Sequence, residues 1–259
     1  MTIEERREQI LELVSRQGYV AIDALAQHFQ VTPQTIRRDI NELDHQGVLQ
    51  RHHGGAGLPS SVENVAYDTR QILQLDEKQR MAQLVADHIP DRASVFINIG
   101  TTTEAVAKAL VDHKGLRVIT NNLNVANTLS QNPDCEVIIA GGLVRSRDRG
   151  IIGEATLDLI EQFKVDFGVI GISGIDADGT LLDYDYREVR VAKAIVRNSR
   201  RVFLAADHTK IGRNAMVRLC GIDKIDSWFT DRQPSAALLK VLKKAGTTVH
   251  VAKKGRGSG

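Results

Sequence analysis

Ala24–Leu43, ALAQHFQVTPQTIRRDINEL, is the stretch on which the reading of the chain turns. Leu25, Ala26 and Phe29 recur at the spacing of one buried helix face, and Val31 leads into Thr32-Pro33, a capping hydroxyl followed by proline at the first helical position. Two short helices joined across Gln30 and Val31 are therefore expected. In the second, Ile36, Ile40 and Leu43 take the core-facing stripe, which leaves Gln34, Thr35, Arg37 and Arg38 facing outward on its first turns. With Thr32 at its start, that face can reach base edges and flanking phosphates in a major groove of double-stranded DNA.

Upstream, Ile3, Ile10, Leu11 and Val14 are spaced as an amphipathic helix among charges, stopped by Gly18. Downstream of Gly47, the run VLQRHHGGAGL is β-prone and turns at Gly54-Gly55, as a small hairpin does. Arg51, His52 and His53 would make that hairpin a positively charged wing, touching the DNA backbone or lying along the minor groove. Residues 1–57 thus read as a winged helix-turn-helix domain. LPSSVEN opens a linker expected to span 58–75.

From about Asp76 the pattern changes. Helices (Glu77–Ile89, Glu104–Leu110, Val125–Leu129) alternate with apolar strands (Ala93–Gly100, Leu116–Thr120, Glu136–Ala140), and Phe167–Ile172, Val202–Ala206 and Trp228–Thr230 continue the series. This is the grammar of an α/β domain with a mostly parallel sheet covered by helices, expected over 76–252. The last residues, 253–259, KKGRGSG, read as a disordered tail with no assigned function.

Bulk properties exclude more than they assert. With 42% hydrophobic and 25% charged residues the chain is neither disordered nor of low complexity, and no apolar run approaches transmembrane length, so a cytoplasmic protein without a membrane partner is expected. Cys135 and Cys220 lie far apart, and the histidines show no metal spacing, so neither a disulfide framework nor a metal site is expected. Asp176-Ala177-Asp178-Gly179 lacks the ligand ladder of a calcium loop and reads as a turn. The first 57 residues hold six Lys and Arg against eight Asp and Glu. The argument for DNA therefore rests on where the positive charges are presented, not on their sum.

In the second domain, Gly100-Thr101-Thr102-Thr103 stands where an apolar strand ends and a helix begins, so backbone N–H groups, hydroxyls and the helix dipole converge on a place suited to an anion. Thr120-Asn121-Asn122, Gly141-Gly142 and Ser173-Gly174 also end expected strands, and ligands of open parallel sheets gather at strand carboxyl ends. One pocket drawing on all four is expected, with Arg145 and Arg147 supplying charge to a phosphate and Lys210 reaching in from another strand. Lys210 would need a neutralising carboxylate when the ligand is away, either Glu188 or Asp207.

VTPQTIRRDINEL followed by RHHGGA resembles the N-terminal winged helix of the DeoR family of bacterial repressors. The resemblance continues through INIGTTTEAVAKAL, VITNNLNVANTL, IIAGGLVRSRDRGIIGEATLD, DFGVIGISGID and DHTKIGRNAM, nearly to the end of the chain. It implies a repressor of glycerol-metabolism genes, not an enzyme and without a cofactor, released from operator DNA by a phosphorylated polyol or sugar, glycerol 3-phosphate being the expected inducer. It also implies a homo-oligomer, a tetramer. The sensor domain of the family is similar to ribose-phosphate isomerase and CoA-transferase-like folds, in which a Gly-Thr loop holds phosphate and a carboxylate acts as base. Glu188 and Lys210 match that pattern, which keeps a phosphosugar isomerase as the alternative. The absence of a lysine before Arg187 departs from it.

Overall fold

The computed structural model describes residues 2–45, 49–52, 54–57, 67–72 and 74–253. The first unit is built from α1 (Ile3–Gln17), β1 (Tyr19–Ala21), α2 (Ile22–Phe29), α3 (Pro33–His45), β2 (Gln50–His52) and β3 (Gly55–Gly57). A capping box between Thr2 and Glu5 starts α1, and Gly18, at φ 72°, ends it. The Thr32 hydroxyl accepts from the Thr35 amide at 3.2 Å, as a capping residue does. The strands form an antiparallel sheet in the order β1-β3-β2. Ile10, Val14, Leu25, Ile36, Ile40 and Leu49 fill the core of this winged helix. Asp39, buried on α3, accepts from Arg6 at 2.7 Å and Arg7 at 3.2 Å, which ties α3 to α1.

The stretch expected as a linker is partly helical: α4 (Tyr67–Ile72) precedes α5 (Leu75–Ala86). Then follow β4 (Ser94–Ile97), α6 (Thr101–Ala109), β5 (Arg117–Thr120), α7 (Leu123–Leu129), β6 (Glu136–Ile139), β7 (Leu143–Val144) and β8 (Ile151–Ile152). The chain continues through α8 (Glu154–Glu161), β9 (Val165–Ile170), β10 (Gly174–Ile175), β11 (Thr180–Asp183), α9 (Tyr186–Arg197) and β12 (Ser199–Ala205). It closes with β13 (Val217–Gly221), β14 (Ser227–Thr230), α10 (Ala236–Ala245) and β15 (Thr248–Val251).

The main sheet has seven parallel strands in the order β15-β14-β12-β9-β4-β5-β6. Apolar clusters cover both faces, as buried parallel strands require. From β4 the chain moves outward to β5 and β6, then returns to place β9 on the other side of β4. That reversal opens a crevice at the carboxyl ends of β4 and β9, where ligands of open α/β sheets bind. A smaller antiparallel sheet, β10-β11-β13, lies beyond β9 in the chain. Trp228 on β14 is fully buried, and its indole N–H donates to the Ala206 carbonyl at 2.9 Å.

Candidate functional site

On α3, Gln34, Arg37 and Arg38 are exposed and Thr35 is half-buried, while Ile36, Asp39 and Ile40 are buried. Thr32, also exposed, shares a 3.0 Å hydrogen bond with the Thr35 hydroxyl. Arg51 is exposed on β2, where its backbone N–H donates to Asp44 at 2.8 Å and its guanidinium to Asn41 at 2.9 Å, fixing the wing against α3. This is a basic, hydrogen-bonding surface of the width of one helix.

His52 does not belong to that surface. It is 8% exposed and packs inward beside Tyr19, at a ring-centroid distance of 6.0 Å. Burial pulls its pKa down to about 4, and Arg213 and Lys210 push the same way. A neutral imidazole turned toward the second domain offers no positive charge to a phosphate backbone. The alternation of β2 accounts for the inversion, because adjacent strand residues face opposite sides. His53 lies outside the described residues.

At the β4/β9 crevice a pocket of about 620 Å³, counting its open mouth, is lined by Gly100, Thr101, Thr102, Ser173, Glu188 and Lys210 from the sequence expectation. Tyr67, Arg70, Asn98, Asp148 and Asp183 also line it. Gly100 adopts φ 145°, a backbone conformation that L side chains rarely adopt, and this turn aims the start of α6 into the pocket. Thr103 is buried just behind, its hydroxyl donating to the Gly100 carbonyl at 2.8 Å. The Asn98 side chain is buried, and its amide oxygen has no donor among the described residues.

Opposite the helix start stands a group of carboxylates. Asp183 accepts from the Ser173 hydroxyl and from the Tyr184 amide, both at 2.8 Å. Burial nevertheless raises its pKa, and Glu188 is raised by burial and by the charge of Asp183. Lys210, half-buried, is pulled down to about 7 by burial, with Arg213, Lys78 and Arg70 acting in the same direction against Asp207. Of the two neutralising partners anticipated for Lys210, Asp207 is therefore the one that stabilises its charge.

The expectation of one pocket drawing on all four strand ends is not met: Thr120, Asn121, Asn122, Gly141, Gly142 and Gly174 do not line it and make other bonds. The Thr120 hydroxyl donates to Ile97, and Asn121 donates to the Ile151 carbonyl. Asn122 caps α7 and donates to Glu104 at 2.9 Å. Glu104 also accepts from Tyr67 at 2.7 Å, which fastens α4 across the pocket. The Gly141 carbonyl accepts from Thr156, Gly142 makes a turn that a Cβ would clash with, and Gly174 packs its Cα against the Arg213 carbonyl.

Arg145 departs from its expected role. It is 8% exposed, and its guanidinium is already divided among Asp148, Asp185 and Glu188. Arg147, exposed, meets Asp185 and Glu188 at 3.1 Å. Both arginines hold the loop after β7 onto the start of α9 through carboxylates instead of presenting free charge to a phosphate. Tyr67, Arg70 and Asn98 were missed because α4 reads as linker and Asn98 as an ordinary strand end. Among the described residues no group of three or more His, Cys, Asp or Glu is arranged to hold a metal, and no helix is long and apolar enough to cross a membrane.

Comparison with known proteins matches two family models. The DeoR-like helix-turn-helix domain covers residues 6–62 and the DeoR C-terminal sensor domain residues 73–232. The chain belongs to the DeoR family. Similar DeoR-type relatives include the glycerol-3-phosphate regulon repressor of Escherichia coli K12, 56% identical over 92% of this chain and 94% of that protein. The glycerol-3-phosphate regulon repressor of Haemophilus influenzae is 49% identical over 93% of this chain and 94% of its own. Among solved structures, ribose 5-phosphate isomerase A from Neisseria gonorrhoeae aligns at 15% identity and a TM-score of 0.39, covering 52% of each chain.

Proposed function

We propose that this protein is a DNA-binding transcriptional repressor of a glycerol-3-phosphate regulon, acting in the cytoplasm, and that glycerol 3-phosphate bound at the β4/β9 crevice releases it from its operator. The observation that carries the reading is the pairing, in one DeoR-family chain, of an exposed basic face on α3 with a switch-point pocket that offers a helix start, a cation and carboxyls. Thr101, Thr102 and Lys210 face the phosphate in this reading, and Asn98, Asp183 and Glu188 take the hydroxyls. The ligand must bind the DNA-incompetent arrangement more tightly, since equal affinity for both states would shift nothing.

Gel shifts with operator DNA across a glycerol 3-phosphate titration test both parts. Release by glycerol 3-phosphate but not by glycerol is expected. Thr102→Val, which keeps the side-chain volume and removes the hydroxyl, should bind DNA normally and need more ligand for release. Failure of the wild type to release removes the ligand; release of the variant at wild-type concentration removes the residue assignment.

A phosphosugar isomerase is the second reading, favoured by one observation: Asp183 and Glu188 are raised and Lys210 lowered around a single pocket, as acid–base groups are. Tyr186 stands before Arg187, where the isomerase pattern has a lysine. Turnover of ribose 5-phosphate by purified protein would establish the enzyme; its absence alongside ligand-driven operator release leaves the repressor.

A further inference from the structure

Among the described residues, the winged helix meets the second domain at the segment 207–213 and, through Tyr19, beside Arg70, Gln74 and Lys78. Tyr19 of β1 is 3% exposed, and the Arg213 guanidinium lies over its ring at 5.2 Å from the centroid. Gly54, at the wing turn, sits so close to His208 and Thr209 that a Cβ there would meet them at 3.4 and 3.6 Å. His208 is held for this contact by Asp231, which accepts from its backbone N–H and pairs with its ring, each at 2.7 Å.

Between the two domains runs a small cleft, separate from the effector pocket but sharing Arg70 and Lys210 with it. Arg70, Lys78, Lys210 and Arg213 line it together with Tyr19, and among the described residues that line it Asp207 is the one carboxylate. Positive charge is crowded there. Burial lowers Lys78 to about 8, with Arg70 adding to the effect, and Lys210 is lowered in the same way. Two donors at the cleft also lack acceptors: the Arg213 Nε–H and the Tyr19 hydroxyl are buried with no hydrogen-bond partner among the described residues, and Arg213 is only 5% exposed. Buried, unsatisfied donors beside clustered cations are costly. A tetrahedral dianion would satisfy both costs at once, because its oxygens accept from every one of these groups.

We propose that this cleft is a phosphoryl-binding seat, in which a phosphoryl group is held by Lys78, Lys210 and Arg213 and accepts from the Tyr19 hydroxyl, so that one anion is gripped by the winged helix and the sensor domain together. The group is either a free phosphate or the phosphoryl end of the effector, the chemistry being the same. An occupant ties the winged helix to the segment carrying Lys210, and its consequence for operator binding rests on the repressor reading; the seat itself does not.

The test uses the full chain with inorganic phosphate as probe, at constant ionic strength, read by calorimetry and by thermal shift. Wild type should bind phosphate and gain stability from it. Arg213→Met and Lys78→Met should each weaken phosphate binding on the order of tenfold, as losing a charge-assisted hydrogen bond does. Arg117→Met, which removes an exposed cation at the amino end of β5, should bind phosphate as wild type does. Tyr19→Phe deletes a single hydroxyl and carries the test if a cation variant folds poorly; it should weaken phosphate binding severalfold. Melts without phosphate give each variant its own baseline, because Arg213 also lies over the Tyr19 ring and Lys78 also donates to the Arg70 carbonyl.

Addition of glycerol 3-phosphate separates the two sources. Displacement of phosphate, with the variants losing affinity for both ligands in parallel, makes the effector's own phosphoryl group the occupant. Simultaneous binding, with the variants losing only phosphate, makes it a second anion. No phosphate binding by wild type, or undiminished binding by Arg213→Met and Tyr19→Phe, overturns the seat. If glycerol 3-phosphate still releases operator DNA in that case, the repressor reading survives without it.

Discussion

With its pKa pulled to about 7 by burial and by Arg213, Lys78 and Arg70, Lys210 is partly neutral in the empty pocket near physiological pH. The Asp207 carboxylate opposes the shift. A bound phosphate dianion favours the ammonium, so binding above pH 7 takes up a proton, and affinity falls as the pH rises, by up to about tenfold per unit. Calorimetry of glycerol 3-phosphate binding at pH 8 in buffers of different ionisation enthalpy should show this uptake; proton release would contradict it. Arg145 makes the opposite kind of prediction. Its removal leaves Asp148, Asp185 and Glu188 close together without their shared cation. Arg145→Met should therefore cost about 3 to 5 kcal/mol of stability at pH 7, and less at acid pH, where the carboxyls protonate. Denaturant melts at the two pH values check it. These residues show what was legible. Thr101, Thr102 and Lys210 line the pocket as expected from a strand–Gly–Thr–helix junction and a DHTK segment, both of which are local in the chain. Arg145 was not legible, since its partners Asp185 and Glu188 arrive 40 and 43 residues later in the chain. A sequence states a residue's charge and leaves open which charge it meets.

Among the elements, those with a strong period were read closely. The α1, α3 and α5 helices and the strands β4, β5, β6, β9, β12 and β14 fall within a few residues of their expected places. The six-residue α4 was lost in the linker, because it is too short to show a helical period and follows a Pro- and Ser-containing stretch. It is held by tertiary bonds: Tyr67 donates to Glu104 and accepts from Asn124 at 2.7 Å, and Gln71 donates back to Tyr67 at 2.9 Å. The exposed face of α3 follows from its buried stripe, and in the repressor reading it acts separately from the pocket. Arg38→Ala should weaken operator binding by about 1 to 3 kcal/mol and leave glycerol 3-phosphate affinity unchanged. Calorimetry with the effector alone decides the second half, and a loss of effector affinity there would mean that α3 and the pocket are not independent.

For the whole molecule, the alternation of strands and helices predicted a parallel sheet, but not its order or the reversal beside β4 that makes the pocket. Nor did it predict that the wing would lie against the 207–213 segment, since no local pattern encodes which surfaces of two domains meet. Recognition of an operator by paired α3 helices calls for an oligomer, and a tetramer binding half-sites one helical turn or a multiple apart is expected. Multi-angle light scattering at micromolar concentration should return four chains, and a monomer with full operator affinity would exclude it. Trp228 adds a practical consequence. It is the only tryptophan of the chain, and its indole is bonded to Ala206, the residue immediately before Asp207. The molecule thus carries an optical reporter wired to the segment shared by both clefts. Stopped-flow fluorescence on the unlabelled protein can time the arrival of a ligand separately from the departure of DNA, and so reveal which of the two events comes first.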